Sequence, residues 1–522
     1  MNEQKAPRDL TGTVARGVGL AGGGYAITQG LNLLIYLALA RLATPEDFGQ
    51  LAAGAILVTA GLWVADSGLS DALVQRRDRV EEAASTAAIA TILGGVVLGL
   101  AALAASPLVG HLFNSHEVGL VAAASAGWIV IRAPASIPDA IMQRRFIFLR
   151  RVVVDPLGIV AFGAVAIPTT AAGLGVWGLV LGNYAQFATM SISSWVLARW
   201  RPRLRLASVA MWRELVGFGR HILAAGVIAR ITGVATTGIV GRGLGTDLLG
   251  QFRYGTRVVQ GPLGGLINVG SYVLFPAFSR ISTDAPRFER GFRRGIRLTC
   301  LVAMPASLAL LPLGTPMAVI LFGGQWRVAG HIASAMFAFT GTRALIAIIR
   351  EAFKASGRSE LVRKLQTLSG VLTVGLMAAA IPLGTVAVAG ANSVSSIGAA
   401  AYAVRAVSPV TGIPVRRLLA EIWPSVVASV PMAGALYLVE LWLNAEGQGT
   451  VLGAGLLAGE VALGIAIYLV ALTAIAPSSA RELIGTLRGL RRRRRQPEPE
   501  ARLEAELEAE LEEETRPVTP GP

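Results

Sequence analysis

Long stretches without a charged residue alternate with short arginine-rich segments along most of this chain. A helix crosses the roughly 30 Å hydrocarbon core of a membrane with about 20 residues, and inside that core only helices and closed barrels satisfy every backbone polar group. The apolar runs have this helical length. Charged residues make up only 15% of the sequence, whereas soluble domains carry about 25%. The pattern therefore predicts an all-α, polytopic transmembrane helix bundle.

Charge clusters divide the apolar sequence into about fourteen spans. Two charge-free stretches, 156–198 and 365–404, are too long for one crossing. Each contains a turn signal, Pro-Thr-Thr at 168–170 and Pro-Leu-Gly at 382–384, and so divides into two helices. The first span is too long for a cleavable signal and is predicted to remain. The predicted spans are 17–40, 51–73, 83–110, 118–141, 154–170, 173–198, 214–241, 251–279, 298–322, 328–349, 365–383, 386–404, 421–443 and 448–476.

The basic residues predict the orientation of these spans, because cytoplasmic loops are rich in lysine and arginine. With the N-terminus inside, the inward segments before the tail carry 29 lysines and arginines. The outward loops carry four, namely Arg41, Arg242, Arg253 and Arg327. Both termini are therefore predicted to be cytoplasmic. In the tail, the arginines at 491–495 are expected to lie on anionic headgroups, and the acidic stretch after them is predicted to be largely disordered.

An internal repeat is visible at an offset of 201 residues. Its four matched pairs are Arg41 and Arg242, Glu46 and Asp247, Gly49 and Gly250, and Gln50 and Gln251. Both copies follow a span on the predicted outer side and are six helices apart, so the halves have the same orientation, as in transporters built from parallel repeats. The predicted organisation is a cytoplasmic N-terminus (1–16), an N-lobe of spans 1–6 (17–198), a cytoplasmic linker (199–213), a C-lobe of spans 7–12 (214–409), two extra spans 13 and 14 (410–480) and a cytoplasmic tail (481–522).

Several function classes lack their motifs in this sequence. There is no G-x-x-x-x-G-K-[ST] loop, which argues against an ATP-driven pump. The single cysteine, Cys300, lies in an apolar run and the four histidines are scattered, so neither a disulfide nor a metal site nor any other cofactor is predicted. The basic residues lie between spans rather than in an aromatic-lined stripe, which argues against nucleic-acid binding. The outer loops are short and leave little room for an active site, so the chain is not predicted to be an enzyme.

Charged residues inside spans are costly, at about 2.5–3.5 kcal/mol each on insertion scales. Arg132, Arg230 and Arg343 lie within the fourth, seventh and tenth spans. We interpret them as lining a polar cavity that binds a phosphate-bearing anion, since one guanidinium group can donate two parallel hydrogen bonds to a phosphate. The alternative is structural pairing with an intramembrane acid. Arg220 and Arg257 lie nearer span ends, where the alternative is that their side chains reach the headgroups.

Neutral polar residues recur at helical spacing within the spans. Gln29 and Asn32 share one face of the first span, Asn183 and Gln186 share one face of the sixth, and Gln260 and Asn268 lie on one side of the eighth. They are candidate ligands of sugar hydroxyls, with helix–helix hydrogen bonding as the alternative.

Two acids lie at the inner end of the second span. Asp66 and Asp71 are the candidates for ion coupling, with a salt bridge to a loop arginine as the alternative.

Two motifs resemble a known family of bacterial membrane proteins. Residues 40–49, Ala-Arg-Leu-Ala-Thr-Pro-Glu-Asp-Phe-Gly, resemble the first outer loop of Wzx-type oligosaccharide flippases. Residues 66–76, Asp-Ser-Gly-Leu-Ser-Asp-Ala-Leu-Val-Gln-Arg, resemble the end of the second helix in the same proteins. These flippases belong to the multidrug/oligosaccharidyl-lipid/polysaccharide exporter superfamily. With the span count and the repeat, the resemblance extends over about residues 10–480.

The resemblance implies two six-helix lobes around a central cationic cavity, plus two extra helices. It implies a secondary transporter in the bacterial plasma membrane that moves polyprenyl-diphosphate-linked oligosaccharide to the outer leaflet by alternating access. Its partners would be that glycan lipid, membrane lipids and polysaccharide-assembly enzymes. The alternatives within the superfamily are a flippase of lipid-linked peptidoglycan precursor and a multidrug exporter. From other classes they are a membrane-embedded glycan polymerase or ligase, and a non-transporting scaffold that organises glycan enzymes through the tail.

Overall fold

The computed structural model describes residues 10–66, 68–76, 78–145, 147–261, 278, 284–444, 447, 450–483 and 485. Nearly all of these residues are helical, and none of them forms a β-strand. Nine helices in this part of the chain are long and apolar enough to cross a membrane, or ten if one bent pair counts as a single span. The protein is thus a multi-pass helical membrane protein, as the sequence predicts. The count of about fourteen spans stays a prediction.

The first half of the chain contains the helices of the predicted N-lobe. The second predicted span is divided among three short helices. One break is at Ala55, between α2 and α3. The other is between α3 and α4, where Gly68 adopts a left-handed conformation with φ of 65°. These helices are α1 (Leu10–Leu42), α2 (Pro45–Gly54), α3 (Ile56–Asp66), α4 (Leu69–Gln75), α5 (Val80–Phe113), α6 (His116–Arg132), α7 (Ser136–Arg144), α8 (Phe148–Thr169) and α9 (Val176–Ala198).

The second half contains the helices of the predicted C-lobe and the two extra spans. The tenth predicted span is bent by 48° between Ala335 and Phe339. The helices are α10 (Val209–Leu244), α11 (246–261), α12 (Ala285–Phe322), α13 (Arg327–Ala335), α14 (Phe339–Ala355), α15 (Ser359–Ala380), α16 (Thr385–Thr411), α17 (Val415–Leu443) and α18 (Thr450–Ile475).

The two predicted tight turns have different outcomes. Gly384, with φ of 88°, separates α15 from α16 at the predicted position. The turn predicted at 168–170 is displaced, because α8 and a following π-helical turn continue to Leu174. Gly173 and Gly175, with φ of 88° and 53°, make the reversal instead. Glycine adopts these angles without a Cβ clash, whereas Pro168 is accommodated within the helix.

Salt bridges attach α17 and the segment after α18 to α12 of the predicted C-lobe. Glu421 of α17 is buried and pairs with Arg293 and Arg297 of α12, each at 2.6 Å. Arg297 also pairs with Glu482, beyond α18, at 3.0 Å. The buried carboxylate is therefore balanced by two guanidinium groups, as a buried charge requires.

Candidate functional site

The two copies of the internal repeat contact each other in the folded chain. Gly49 of α2 and Gly250 of α11 lie against one another, so that a Cβ on Gly49 would overlap the carbonyl oxygen of Thr246 and one on Gly250 would overlap that of Pro45. Such backbone approach is possible only where both residues lack a side chain. We call this contact, with the side chains packed around it, the outer seam.

Aromatic rings and hydrogen bonds extend the outer seam. Tyr254 of α11 stacks on Trp326 at 3.8 Å between ring centroids, and Phe48 of α2 meets the edge of Tyr254 at 4.8 Å. The indole nitrogen of Trp326 donates to the carbonyl of Ala40 at 2.8 Å. Arg41 donates to the carbonyl of Ile320 at 3.0 Å. The two predicted lobes are therefore closed against each other on the predicted outer side.

The repeated glutamines have matching roles in the two halves. Gln50 donates to Glu117, near the start of α6, at 3.2 Å. Gln251 donates to the carbonyl of Gln325 at 2.7 Å and accepts from the amide of Ala329 at 2.9 Å, near the start of α13. Each copy of the repeat is thus tied to the start of the fourth predicted span of its own half.

A polar cavity of about 500 Å³ lies inside the second half. We call it the C-lobe cavity. Helices α10, α11, α14, α15 and α16 each contribute residues to its wall. Its charged and polar lining residues are Thr232, Thr236, Thr237, Arg253, Thr256, Gln260, Arg343, Arg350, Gln366, Ser369, Thr373, Asn392 and Ser396.

Three arginines give the C-lobe cavity its charge. Arg343 and Arg350 are seven residues apart on α14, hence on one face and about 10 Å apart along the helix. Arg253 comes from α11 and donates to the Thr237 hydroxyl at 2.9 Å. The described lining residues include no aspartate or glutamate. The arrangement is therefore suited to bind an anion with more than one negative charge.

These guanidinium groups are incompletely satisfied within the described part of the chain. The Nε of Arg350 is buried and has no hydrogen-bond partner there. Arg343 lies over the ring of Phe339, at 5.0 Å from its centroid, rather than beside a carboxylate. A bound phosphate group would supply the missing acceptors.

The candidate residues from the sequence are distributed over several places. Arg343 lines the C-lobe cavity. Arg132 does not; it pairs with Asp139 at 3.0 Å, and Asp139 also accepts a hydrogen bond from Ser194 at 2.6 Å. The observed contact is the stated alternative, pairing with an acid, and the predicted binding role of Arg132 stays a prediction.

The other three arginines also lie outside the described cavity lining. Arg230 is exposed on α10, next to Ala229, which does line the cavity. The side chain of Arg220 falls outside the described part of the structure. Arg257 is exposed and does not line the cavity. Its guanidinium stacks over the ring of Tyr36 on α1, at 3.4 Å from the centroid. It thereby joins the two halves near the outer seam.

Of the neutral polar candidates, Gln260 lines the C-lobe cavity and Asn268 lies outside the described residues. The four candidates of the first half do not line it. Gln29 is exposed and Asn32 is half-buried on α1. Asn183 donates to the carbonyl of Leu179 in its own helix at 2.8 Å, and Gln186 is half-buried on the same helix. Their predicted role in binding sugars stays a prediction.

The described residues do not form an ion-binding site around the two acidic candidates for ion coupling. Asp71 is exposed in the first turn of α4. The side chain of Asp66 lies outside the described residues. Among the described histidines, cysteines and acids, no group of three could hold a metal ion.

Sequence reasoning missed two of the three cavity arginines. Loop charge counts Arg253 among the outward residues and Arg350 among the 29 inward ones, yet both lie on helices that form the cavity wall. A signal was available for Arg350, which is seven residues from Arg343 and so shares its helix face. For Arg253 the helix begins at the outer seam, and only the fold shows that its second turn already faces the cavity.

Comparison with known proteins identifies relatives of this chain. The profile of a family described as "Polysaccharide biosynthesis protein" matches residues 38–330. The succinoglycan biosynthesis transport protein ExoT of Rhizobium meliloti is 22% identical over 317 residues, covering 61% of this chain and 64% of that protein. The lipopolysaccharide biosynthesis protein WzxC of Escherichia coli is 24% identical over 309 residues, covering 58% of this chain and 61% of that protein. In both cases the match spans a little under two thirds of the relative.

A solved structure shares the fold. The lipid II flippase MurJ, in an inward closed conformation, superimposes with a TM-score of 0.71 and 17% sequence identity, covering 89% of this chain and 99% of that one. The helical architecture therefore extends beyond the region of detectable sequence similarity.

Proposed function

Because the chain belongs to the polysaccharide biosynthesis protein family, we propose that it is a secondary transporter that moves a lipid-linked oligosaccharide from the inner to the outer leaflet of a bacterial plasma membrane. Its relatives are named for succinoglycan and lipopolysaccharide biosynthesis, and one of them is named a transport protein. The substrate is a glycan joined through a diphosphate to a polyprenyl chain. The protein carries this lipid across without chemical change, so it is not an enzyme.

The observation that carries the proposal is the charge of the C-lobe cavity. Its three arginines offer donors for the diphosphate, and its threonines, serines and amides offer partners for sugar hydroxyls. A diphosphate and a glycan cannot cross hydrocarbon unless protein groups replace the hydrogen bonds that they make with water. The polyprenyl chain can remain in the bilayer during transport. An acidic cavity would favour the cationic drugs of a multidrug exporter, and this lining is basic.

The closed outer seam supports a state in which the cavity is reached from the cytoplasmic side. Transport then requires the two lobes, 17–198 and 214–409, to separate at Gly49 and Gly250 and to close on the opposite side. A substrate drives that change only if it binds the two states differently. Both termini lie in the cytoplasm in this proposal. Asp66 and Asp71 remain the candidates for ion coupling, and assembly enzymes remain candidate partners.

The experiment is substitution of Arg343 in cells whose glycan export depends on this chain. Arg343→Gln should lower export roughly 10-fold to 100-fold, since a hydrogen bond to a charged group contributes about 1.5–3 kcal/mol. The amount of protein in the membrane should be unchanged.

Arg363→Gln is the matched control, because Arg363 is exposed on α15 outside the cavity lining. Vesicles containing the purified chain then test the substrate class with a polyprenyl-diphosphate glycan and the corresponding monophosphate. Normal export by Arg343→Gln, or equal transport of both lipids, would contradict the proposal.

A further inference from the structure

A second basic pocket lies outside the proposed transport site. It has a volume of about 890 Å³ and is formed at the predicted cytoplasmic ends of α5, α7 and α9 and by the start of the linker. We call it the linker pocket. Its lining residues are Glu81, Arg145, Trp195, Val196, Arg199, Trp200, Arg201, Pro202 and Arg203. It shares no lining residue with the C-lobe cavity.

The linker pocket carries an excess of positive charge. It has four arginines and a single acid, Glu81. That acid accepts from the indole nitrogen of Trp200 at 3.0 Å and lies 3.9 Å from Arg203. Within the described chain, neither Arg199 nor Arg201 has a carboxylate partner. Their charges are available to a ligand.

Specific contacts define the backbone conformation of the segment that forms the linker pocket. Arg199 adopts a left-handed conformation with φ of 46°, which few non-glycine residues do. The turn places Trp200 against Trp195, with ring centroids 6.1 Å apart and planes inclined by 17°. The amide of Arg203 then donates to the Ser85 hydroxyl at 3.1 Å. These contacts therefore position the arginines that lie between them.

The predicted topology puts this pocket at the level of the inner-leaflet headgroups. Helix α9 ends at Ala198, and Val196, on its last turn, is 65% exposed, as expected of a lipid-facing residue. Tryptophan is enriched at this membrane interface. Basic pockets between helices on the cytoplasmic side bind the headgroups of anionic lipids.

We propose that the linker pocket binds the headgroup of an anionic phospholipid of the inner leaflet. Arg145, Arg199 and Arg201 contact its phosphate, and the paired tryptophans pack beside the glycerol and the first part of the acyl chains. Bound lipid fixes the start of the linker that joins the two lobes. This binding site is independent of the transport substrate, because it is built entirely from the first half and the linker.

The test uses the full-length chain in nanodiscs of phosphatidylcholine with or without phosphatidylglycerol. Native mass spectrometry of the extracted protein measures which lipid is retained. Arg145→Gln/Arg199→Gln/Arg201→Gln should lower the preference for phosphatidylglycerol by about 100-fold, because each basic group near the surface contributes roughly fivefold. The wild-type chain should show the preference in full.

The matched control is Arg290→Gln/Arg363→Gln/Arg416→Gln, which removes the same charge from exposed cytoplasmic positions of the second half. It should keep the preference. Equal loss in both triple variants, or no preference in the wild-type chain, would overturn the proposal. A third arm adds undecaprenyl diphosphate: if only this lipid, and not phosphatidylglycerol, depends on the three pocket arginines, the site belongs to the substrate and the proposal fails.

Discussion

The two halves of the chain hold their intramembrane arginines in different ways. In the first half Arg132 is paired with Asp139, which is buried and also bonded to Ser194. In the second half Arg253, Arg343 and Arg350 face a shared cavity whose described lining has no carboxylate. The residue type is the same, but only the second arrangement leaves charge for a ligand. The partner of an arginine, rather than its depth in a span, therefore distinguishes the two arrangements.

Removal of the acid in the first half should give the largest effect. Asp139→Asn leaves Arg132 without its charge partner, and the loss of one member of a buried pair costs about 3–5 kcal/mol. The purified variant should unfold at a clearly lower temperature in detergent. Arg132→Met/Asp139→Leu should recover most of the stability, because neither charge is then buried alone. If that double variant is stable but does not transport, Arg132 has a binding role as well.

An anion should distinguish the cavity arginines from the paired one. Pyrophosphate at about 100 times its dissociation constant should stabilise the wild-type chain by roughly 2.7 kcal/mol. Arg343→Gln/Arg350→Gln should abolish this thermal protection, whereas Arg132→Met/Asp139→Leu should retain it. Protection that persists in the cavity variant would place the anion elsewhere.

The outer seam joins the two halves, and its glycines should be intolerant of a single methyl group. Gly49→Ala or Gly250→Ala overlaps backbone of the opposite half, and overpacking costs about 1–3 kcal/mol. The ratio of closed to open state should fall by roughly 5-fold to 150-fold. Labelling of Ala43→Cys by an impermeant maleimide should rise accordingly, in a background where Cys300 is replaced by alanine. Gly238→Ala, with open space around it, is the control and should label as slowly as the parent.

The smallest effect is expected at Arg257, which stacks on Tyr36 across the two halves. A cation–π contact contributes about 0.5–2 kcal/mol, so Arg257→Gln should raise Ala43→Cys labelling by less than the glycine variants do. Tyr36→Leu should have a similar effect, and the two changes together should add little to either alone. A loss of transport as large as that of Arg343→Gln would instead assign Arg257 to substrate binding.

Much of the architecture was predictable because a bilayer imposes simple constraints on the sequence. The described α5, α12 and α16 lie where apolar runs predicted spans, and the turn at Gly384 lies where its signal stands. The repeat at Gly49 and Gly250 could also be recognised in the sequence, because the two backbones approach so closely that only glycine fits at these positions. The turn after α8 was misplaced, since a proline can be held in a helix when the following glycines can make the reversal.

The sequence by itself determined that this protein is a helical membrane protein, and it predicts two related halves with a strongly basic cytoplasmic side. The lengths of the apolar segments and the distribution of charge suffice for this, because both are properties of consecutive residues. The tertiary structure alone decided which arginines are paired and which line a cavity. Pairing depends on the rotation of helices and on distant partners. Ser194, for example, donates to Asp139, the partner of Arg132, and Arg253 of α11 lines the same cavity as Arg343 of α14.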